Sequence, residues 1–379
     1  MHTRRLNVGV VFGGRSCEHE VSLRSARSIL SALPREHYHA IPIGITPEGR
    51  WVALSDEWVL KGCDRLEEES GSPLWINPAP PPTPVLWKGD RSPCEPLCVD
   101  IFFPIVHGTF GEDGALQGLF EMLERPYVGS GVLGCALSMD KVIMKQMLAA
   151  AGLPVAPFVF FSAEAIEPRD LLEKVRDQCG APPWFVKPAN MGSSVGIHKV
   201  YEAKHLMQAV VDALRYDHKV LVEQAVAPAV ELEVAVLGNE IPEASVAGQI
   251  ESVHDFYDYA AKYLVPGSRL LIPATVSSRL QQRLSSLAID CFKVLNMSGM
   301  ARVDFLVRTS DNEPYILEAN SLPGFTTISM YPKLWQATGL EYPQLLNRLI
   351  DLALKRHRSN SALIFDYSGN GLNDPYPSI

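Results

Sequence analysis

Residues 301–320 read ARVDFLVRTSDNEPYILEAN. Two largely apolar runs flank TSDNEP, whose composition is that of a turn, so the stretch predicts a β-hairpin. Side chains alternate faces along a strand. Arg302 and Asp304 therefore share one face of the first strand, and Glu318 and Asn320 share one face of the second. Folded symmetrically about Asp311, the hairpin sets Asp304 opposite Glu318 and Arg302 opposite Asn320, all four on one side. Directly opposed carboxylates on neighbouring strands repel unless something neutralises them. Two arrangements answer this. One is a hard cation held by the Asp, Glu and Asn oxygens; the other is an ion pair between Arg302 and one carboxylate. Both depend on register, because a slip of one residue turns the set to the opposite face.

Upstream, residues 231–236 (ELEVAV) alternate polar and apolar, as a half-buried antiparallel strand does. Residues 184–187 (WFVK) predict a strand ending at Lys187, followed by a loop, PANMGSSVGI, at 188–197. Gly192, Ser193, Ser194 and Gly196 permit close backbone approach and offer N–H and hydroxyl donors, and Lys187 offers a point charge for a phosphate. The GK[ST] arrangement of a Walker loop is absent, and a plain surface turn would have the same composition. KVLVE at 219–223 is a further strand. SMDKVIMKQMLAAA at 138–151 predicts a helix, stopped by Gly152 and Pro154.

The N-terminal third predicts an open parallel α/β layer of Rossmann-like character. LNVGVVF at 6–12 is a buried strand entering a Gly13-Gly14 turn. Ala26, Ile29, Leu30 and Leu33 then fall at helical spacing before Pro34, and HAIPIGI at 39–45 is the next strand. VDIFFPIV at 99–106 is another, and it leads into HGTFGEDGALQG at 107–118. The Pro-, Gly- and Ser-rich stretch 67–96 reads as a surface excursion. The resulting division is an N-terminal α/β domain at 1–129, a central unit at 130–226, a C-terminal unit at 227–357 and a polar tail at 358–379.

A chain of 379 residues suits two or three domains at roughly 100–200 residues each. Its 47% hydrophobic and 20% charged residues exclude global disorder. A formal charge of −9 speaks against a nucleic-acid partner but not against a nucleotide, which needs only a local group of cations. The seven cysteines form no CxxC pair, which excludes a zinc framework and suits a reducing cytoplasm. The apolar stretch at 8–12 is too short for a signal peptide, and no run reaches the roughly 18 residues of a membrane span. GxGxxG does not follow the first strand, which argues against a dinucleotide dehydrogenase. These observations predict a cytoplasmic multidomain enzyme with no membrane or nucleic-acid partner.

Several segments together resemble the D-alanine–D-alanine ligases of the ATP-grasp superfamily. They are FGGRSCEHEVSL (12–23), HGTFGEDGALQG, SMDK (138–141), VKPANMGSSVGI (186–197), the EQ at 223–224, FYDYAAKY (256–263), ARVDF (301–305) and LEANSLPGFTTISMYPKLW (317–335). They follow the family's order over roughly residues 6–355. The resemblance implies an ATP-grasp fold, with ATP between the central and C-terminal units. It implies ligation of two D-alanines through an acyl phosphate, releasing ADP and phosphate. Relatives that take D-lactate or D-serine as second substrate are the alternative; FYDYAAKY resembles the D-alanine-selecting form.

By resemblance, Glu18 binds the ammonium of the first D-alanine and His107 lies near its carboxylate. Glu18, Ser193 and Tyr263 form a hydrogen-bonded trio that closes a loop over the site. Lys141, Lys187 and Lys262 contact phosphates, with Ser193 and Ser194 in the loop. Glu223 lies on the adenine side and Glu231 on the ribose hydroxyls. Asp304, Glu318 and Asn320 ligate two Mg²⁺ ions, with Mn²⁺ as a substitute. Arg302 and the Gly324 amide stabilise the oxyanion, and Ser329 with the backbone of Met330 receives the second substrate's carboxylate. A homodimer is implied as well. The AlaAsnMet preceding Gly192 departs from members with a more polar loop, and no cysteine has a role.

Overall fold

The first apolar run becomes β1 (Leu6–Gly13), with Val8, Val10, Val11 and Phe12 fully buried. The computed structural model describes residues 4–77, 86–89, 95–165, 168–251 and 269–364. Helix α1 (His19–Ala32) follows, burying Leu23, Ala26, Ile29 and Leu30 at helical spacing and ending before Pro34. β2 (Tyr38–Ile45) and β7 (Ile101–Pro104) lie parallel to β1, one on each side. The chain therefore leaves β1 at a point where its neighbours diverge, which opens a crevice beyond the strand's C-terminal end. Gly13 turns the chain there at φ +89°; a Cβ would lie 2.3 Å from the Ile45 carbonyl oxygen.

The parallel layer predicted from sequence is limited to these three strands. Beyond β2 the sheet continues antiparallel through β3 (Trp51–Ala53), β4 (Ser72–Ile76), β5 (Leu86–Lys88) and β6 (Glu95–Leu97). The order is β6-β5-β4-β3-β2-β1-β7, a mixed seven-stranded sheet. The reason is connection length: the five residues between β2 and β3 suffice for a hairpin but not for a crossover. The stretch 67–96 is thus part of the sheet edge rather than an excursion from it; residues 78–85 and 90–94 lie outside the described residues. Helices α2 (Asp56–Lys61) and α3 (Ala115–Met122) complete this part.

The helix predicted over 138–151 is divided. α4 (Val132–Met139) ends at Asp140, and α5 (Lys141–Ala150) begins after it. Asp140 is extended, and its carboxylate accepts from the Val142 and Ile143 amides at 3.0 and 3.1 Å, the hydrogen bonds of an N-cap. It also receives the Lys219 ammonium, which fastens α5 to the next sheet.

That sheet is antiparallel, ordered β10-β9-β11-β8. Its strands are β8 (Phe158–Ser162), β9 (Trp184–Pro188), β10 (His198–Val200) and β11 (Lys219–Gln224). α6 (Pro168–Cys179) and α7 (Leu206–Ala213) pack on it around the fully buried Trp184.

The third sheet has the order β14-β13-β12-β15-β16, all antiparallel. It comprises β12 (Ala229–Gly238), β13 (Glu243–Glu251), β14 (Arg269–Leu271), β15 (Gly299–Arg308) and β16 (Glu313–Asn320). Leu232, Val234, Val303 and Phe305 pack with α8 (Ser278–Val294) on one face. On the other, Ala235, Leu237 and Met300 meet α9 (Met330–Ala337) and α10 (Tyr342–Ser361). α10 runs past residue 358, where the sequence suggested a polar tail; residues 365–379 lie outside the described residues.

The predicted hairpin pairs Arg302 with Asn320 and Asp304 with Glu318. The register then shifts, so that Phe305 pairs with Ile316, and Leu317 is the extra residue of a bulge. Symmetry about Asp311 therefore holds at the end that carries the charges and fails by one residue near the turn.

Arg356 on α10 donates to the Tyr127 carbonyl at 2.9 Å, to Ser298 Oγ at 2.6 Å and to the Gly129 carbonyl, and lies over the Tyr127 ring at 4.4 Å. It joins α10 to the end of the N-terminal sheet. Arg356→Ala is expected to cost about 2 kcal/mol, from lost charge-assisted hydrogen bonds, read as an earlier urea midpoint. An unchanged midpoint would show that the clamp adds nothing.

Candidate active site

One cavity is lined by Glu18, His107, Lys141, Ser193, Arg302, Glu318, Asn320 and Gly324, residues contributed by all three sheets and their loops. The crevice beyond β1 supplies the first two. Glu18 is the N-cap residue of α1, yet its side chain makes no cap bond. It accepts instead from Ser193 Oγ, 175 positions away in the small-residue loop. Glycine makes this approach close: a Cβ on Gly192 or Gly108 would lie 2.8 or 2.9 Å from Glu18 Oε2. Ser193 and Ser194 take left-handed φ values of 51° and 59°. The loop is moored at its root, where the backbone and side-chain nitrogens of Asn190 donate to Asp217 at 2.7 and 3.0 Å. Lys141 Nζ donates to the Met191 carbonyl at 2.6 Å, so the loop also rests on the start of α5.

His107 follows β7 and is 3% exposed. Its Nδ1 lies 3.1 Å from the Leu322 carbonyl oxygen and 3.5 Å from Glu112 Oε1; its Nε2 lies 3.1 Å from Ser25 Oγ. Burial pushes the imidazolium pKa down, but hydrogen bonding and charge from Glu112, with Glu18 adding, reverse this, and the net direction is up. Burial drives the Glu112 carboxyl up as well. Ser25 also accepts from the Phe325 amide at 3.3 Å, linking His107 to the segment that carries Gly324.

The charged face of the third sheet forms the opposite wall. Arg302 donates to both oxygens of Asp304 at 2.7 Å and lies 3.1 Å from Glu233 Oε2. Burial would lower its pKa, yet Asp304 and Glu233 raise it well above the ordinary value. The ion pair foreseen as one answer to the opposed carboxylates is therefore present. Three carboxylates, Glu233, Asp304 and Glu318, gather around this guanidinium. Asn320 donates to Asp304 through Nδ2 at 3.1 Å, which leaves its amide oxygen as an acceptor. Carboxylate and amide oxygens clustered in this way are hard donors of the kind that fit a divalent cation.

Beside the cavity lies a narrow slot lined by Lys145, Phe185, Glu223, Leu306, Tyr315 and Leu317, among others. Lys145 Nζ is 2.9 Å from Glu223 Oε2, and Lys187 Nζ holds Oε1. Burial pushes the Glu223 carboxyl up, but the two ammonium groups override this and hold it at about 2.

Of the remaining sequence-predicted residues, Glu231 lies on β12, two places from Glu233 and opposite Leu306. Ser329 is the N-cap residue of α9, its Oγ 2.7 Å from where a Cβ on Gly324 would be. The Met330 side chain is buried in the core. Lys262 and Tyr263 lie outside the described residues. Sequence reading missed Glu112, Glu233, Lys145 and Ser25. The two-residue period from Glu231 could have found Glu233, and the four-residue helical step from Lys141 could have found Lys145. Nothing local marks Ser25.

Family descriptions match in two stretches: "D-ala D-ala ligase N-terminus" at residues 7–130 and "D-ala D-ala ligase C-terminus" at 147–351. The chain is 46% identical over 367 residues to a D-alanine–D-alanine ligase of Natranaerobius thermophilus, covering 96% of this chain and 99% of that protein. It is 48% identical over 364 residues to D-alanine–D-alanine ligase A of Chromobacterium violaceum, covering 95% and 98%. The solved D-alanine-D-alanine ligase of Coxiella burnetii superposes with a TM-score of 0.80 at 35% identity, covering 94% and 97%. The VanG D-Ala:D-Ser ligase of Enterococcus faecalis superposes at 0.82 and 32% identity, covering 92% and 100%. Among the described residues no helix is long and apolar enough to cross a membrane.

A carboxylate with a depressed folded-state pKa stabilises the fold above its unfolded value, and that stability is lost as pH falls. For Glu223 the window runs from the ordinary value of 4.5 down to about 2. Glu223→Gln should be less stable at pH 7 and should lose less of its remaining stability between pH 4.5 and pH 3, measured as urea midpoints. An acid slope equal to that of the unaltered protein would contradict this assignment.

Proposed function

This chain belongs to the D-alanine–D-alanine ligase family, and on that premise we propose how its residues divide the joining of two D-alanines. The protein is a ligase of peptidoglycan precursor synthesis that uses ATP, D-alanine and a divalent metal. The single observation that supports the division of roles is the cavity that gathers Glu18, His107, Ser193, Arg302, Glu318 and Gly324.

In this reading Glu18 takes the ammonium of the first D-alanine, and His107 stands near its carboxylate. A carboxylate is a poor electrophile. Transfer of the γ-phosphoryl group of ATP to it makes an acyl phosphate, the amine of the second D-alanine attacks the carbonyl carbon, and phosphate leaves. Arg302 and the Gly324 amide are oriented before reaction and donate to the oxygen as it becomes anionic, where fixed donors act most strongly. Asp304 and Glu233 hold the guanidinium in place for this. Ser329 and the Met330 amide, at the start of α9, receive the second substrate's carboxylate, which the helix N-terminus favours.

Lys141 and Lys187 reach the phosphates, with Lys262 added by the resemblance, and Ser193 and Ser194 line them. Glu223 faces the base and Glu231 the ribose. Asp304, Glu318 and Asn320 would hold the divalent metal, which when bound supplies charge neutralisation for the phosphates. The Ser193–Glu18 bond closes the loop over the first substrate, with Tyr263 as the third member. Two Mg²⁺ ions, a homodimer and a cytoplasmic location complete the reading.

Offering D-alanine, D-lactate and D-serine together with ATP tests the substrate choice. D-alanyl-D-alanine should dominate the products; predominance of D-alanyl-D-lactate or D-alanyl-D-serine would overturn it. Separately, Glu318→Gln should lower kcat by at least roughly a hundredfold, because loss of a group that merely orients a metal ligand already costs about 10–100-fold. Near-normal turnover would remove Glu318 from the metal site.

A further inference from the structure

Lys145 has no part in the reading above, and burying an ammonium group is costly unless it is paired. It is 1% exposed, among the most buried side chains of the molecule. It lies one helical turn after Lys141 on α5, at 2.9 Å from Glu223 Oε2. Glu223 thus carries two lysines of unequal placement. Lys187 is the more exposed of the pair and stands where β9 gives way to the small-residue loop. Lys145 is enclosed by α5 and the slot. Among the described residues Glu223 Oε2 takes no hydrogen bond of acceptable geometry, despite the nearby ammonium. The slot it borders is lined by the rings of Phe185 and Tyr315 and by Leu306. A flat ring in such a slot would meet a buried carboxylate oxygen with acceptor capacity left, and that oxygen selects a donor on the ring's edge.

We propose that Lys145 is the permanent counter-ion of Glu223 and a specificity-determining positioning residue. It keeps the carboxylate ionised and aimed into the slot when Lys187 turns to the phosphates, so that Glu223 accepts from the exocyclic amino group of adenine. This rests on the ATP reading and extends it: base selection depends on a residue of α5 that acts through Glu223. Without Lys145, the departure of Lys187 would leave a buried, uncompensated carboxylate, which favours protonation or displacement over base recognition.

The test compares binding of ATP and ITP to the full-length protein by calorimetry, without D-alanine. ITP carries a carbonyl where ATP carries the amino group. The unaltered protein should prefer ATP by roughly ten- to a hundredfold, the range of one hydrogen bond to a charged group. Lys145→Met should lose most of that preference, through weaker ATP binding with ITP changed less than about threefold. Lys145→Arg should restore it. Equal loss for both nucleotides, or an unchanged preference, would overturn the proposal. If Lys145→Met does not fold, Lys145→Gln serves: it should remove the same preference, and its retention would overturn the proposal equally. An unaltered protein that binds neither nucleotide would overturn the ATP reading itself, and this proposal with it. Binding with the preference kept in Lys145→Met would overturn this proposal alone.

Discussion

Arg302 lies between Asp304 and Glu233 on the buried face of the third sheet, and the architecture of the cleft follows from keeping that cluster together. A guanidinium removed from water needs carboxylate partners, and two carboxylates removed from water need the guanidinium. Neighbouring strands bring them into register: Glu233 pairs with Asp304 across β12 and β15, and Asp304 pairs with Glu318 across β15 and β16. The bulge at Leu317 lets Ile316 and Ala319 both face the core while Glu318 still opposes Asp304. The fixed donor and the cluster of hard oxygen donors that fits a metal are therefore produced by one device.

The rest of the cavity is assembled against this wall by contacts between distant parts of the chain. Glu18 and Ser193 meet only because the crevice beyond β1 faces the loop after β9 and because glycines at 108 and 192 leave room. Lys141 touches the same loop from α5, a helix that begins where it does because Asp140 caps it. The proposed substrate and phosphate contacts would thus be mechanically joined through one short segment, residues 188–197. A loop held at both its root and its tip can be organised by either ligand.

Charge is distributed so that an acidic protein can hold a polyanion. The net charge of −9 is summed over the whole chain, and the charges at the exposed surface are screened. The cleft brings Lys141, Lys145, Lys187 and Arg302 together with Glu18, Glu112, Glu223, Glu233, Asp304 and Glu318. It is therefore not a basic patch, and a grip on phosphate depends on where each charge is placed.

Much of this was legible along the chain. Period-two alternation by itself put Arg302 and Asp304 on one face and Glu318 and Asn320 on another, and the pairing of those faces was readable because the turn lies between them. The buried strands, the glycine turn after β1 and the small-residue loop were readable for the same reason: each is a local pattern with a local physical cause. The antiparallel extension of the first sheet was hidden because short edge strands carry little apolar signal, and the cap at Asp140 because helical spacing continues across it. What only the tertiary structure decided is which local patterns meet. That Glu223 is shared by Lys145 and Lys187, that Ser25 bridges His107 and Phe325, and that Glu18 turns from its own helix to Ser193 are consequences of packing between elements up to 300 residues apart. A buried polar group must find its partner wherever the fold brings one, and sequence proximity says nothing about where that is.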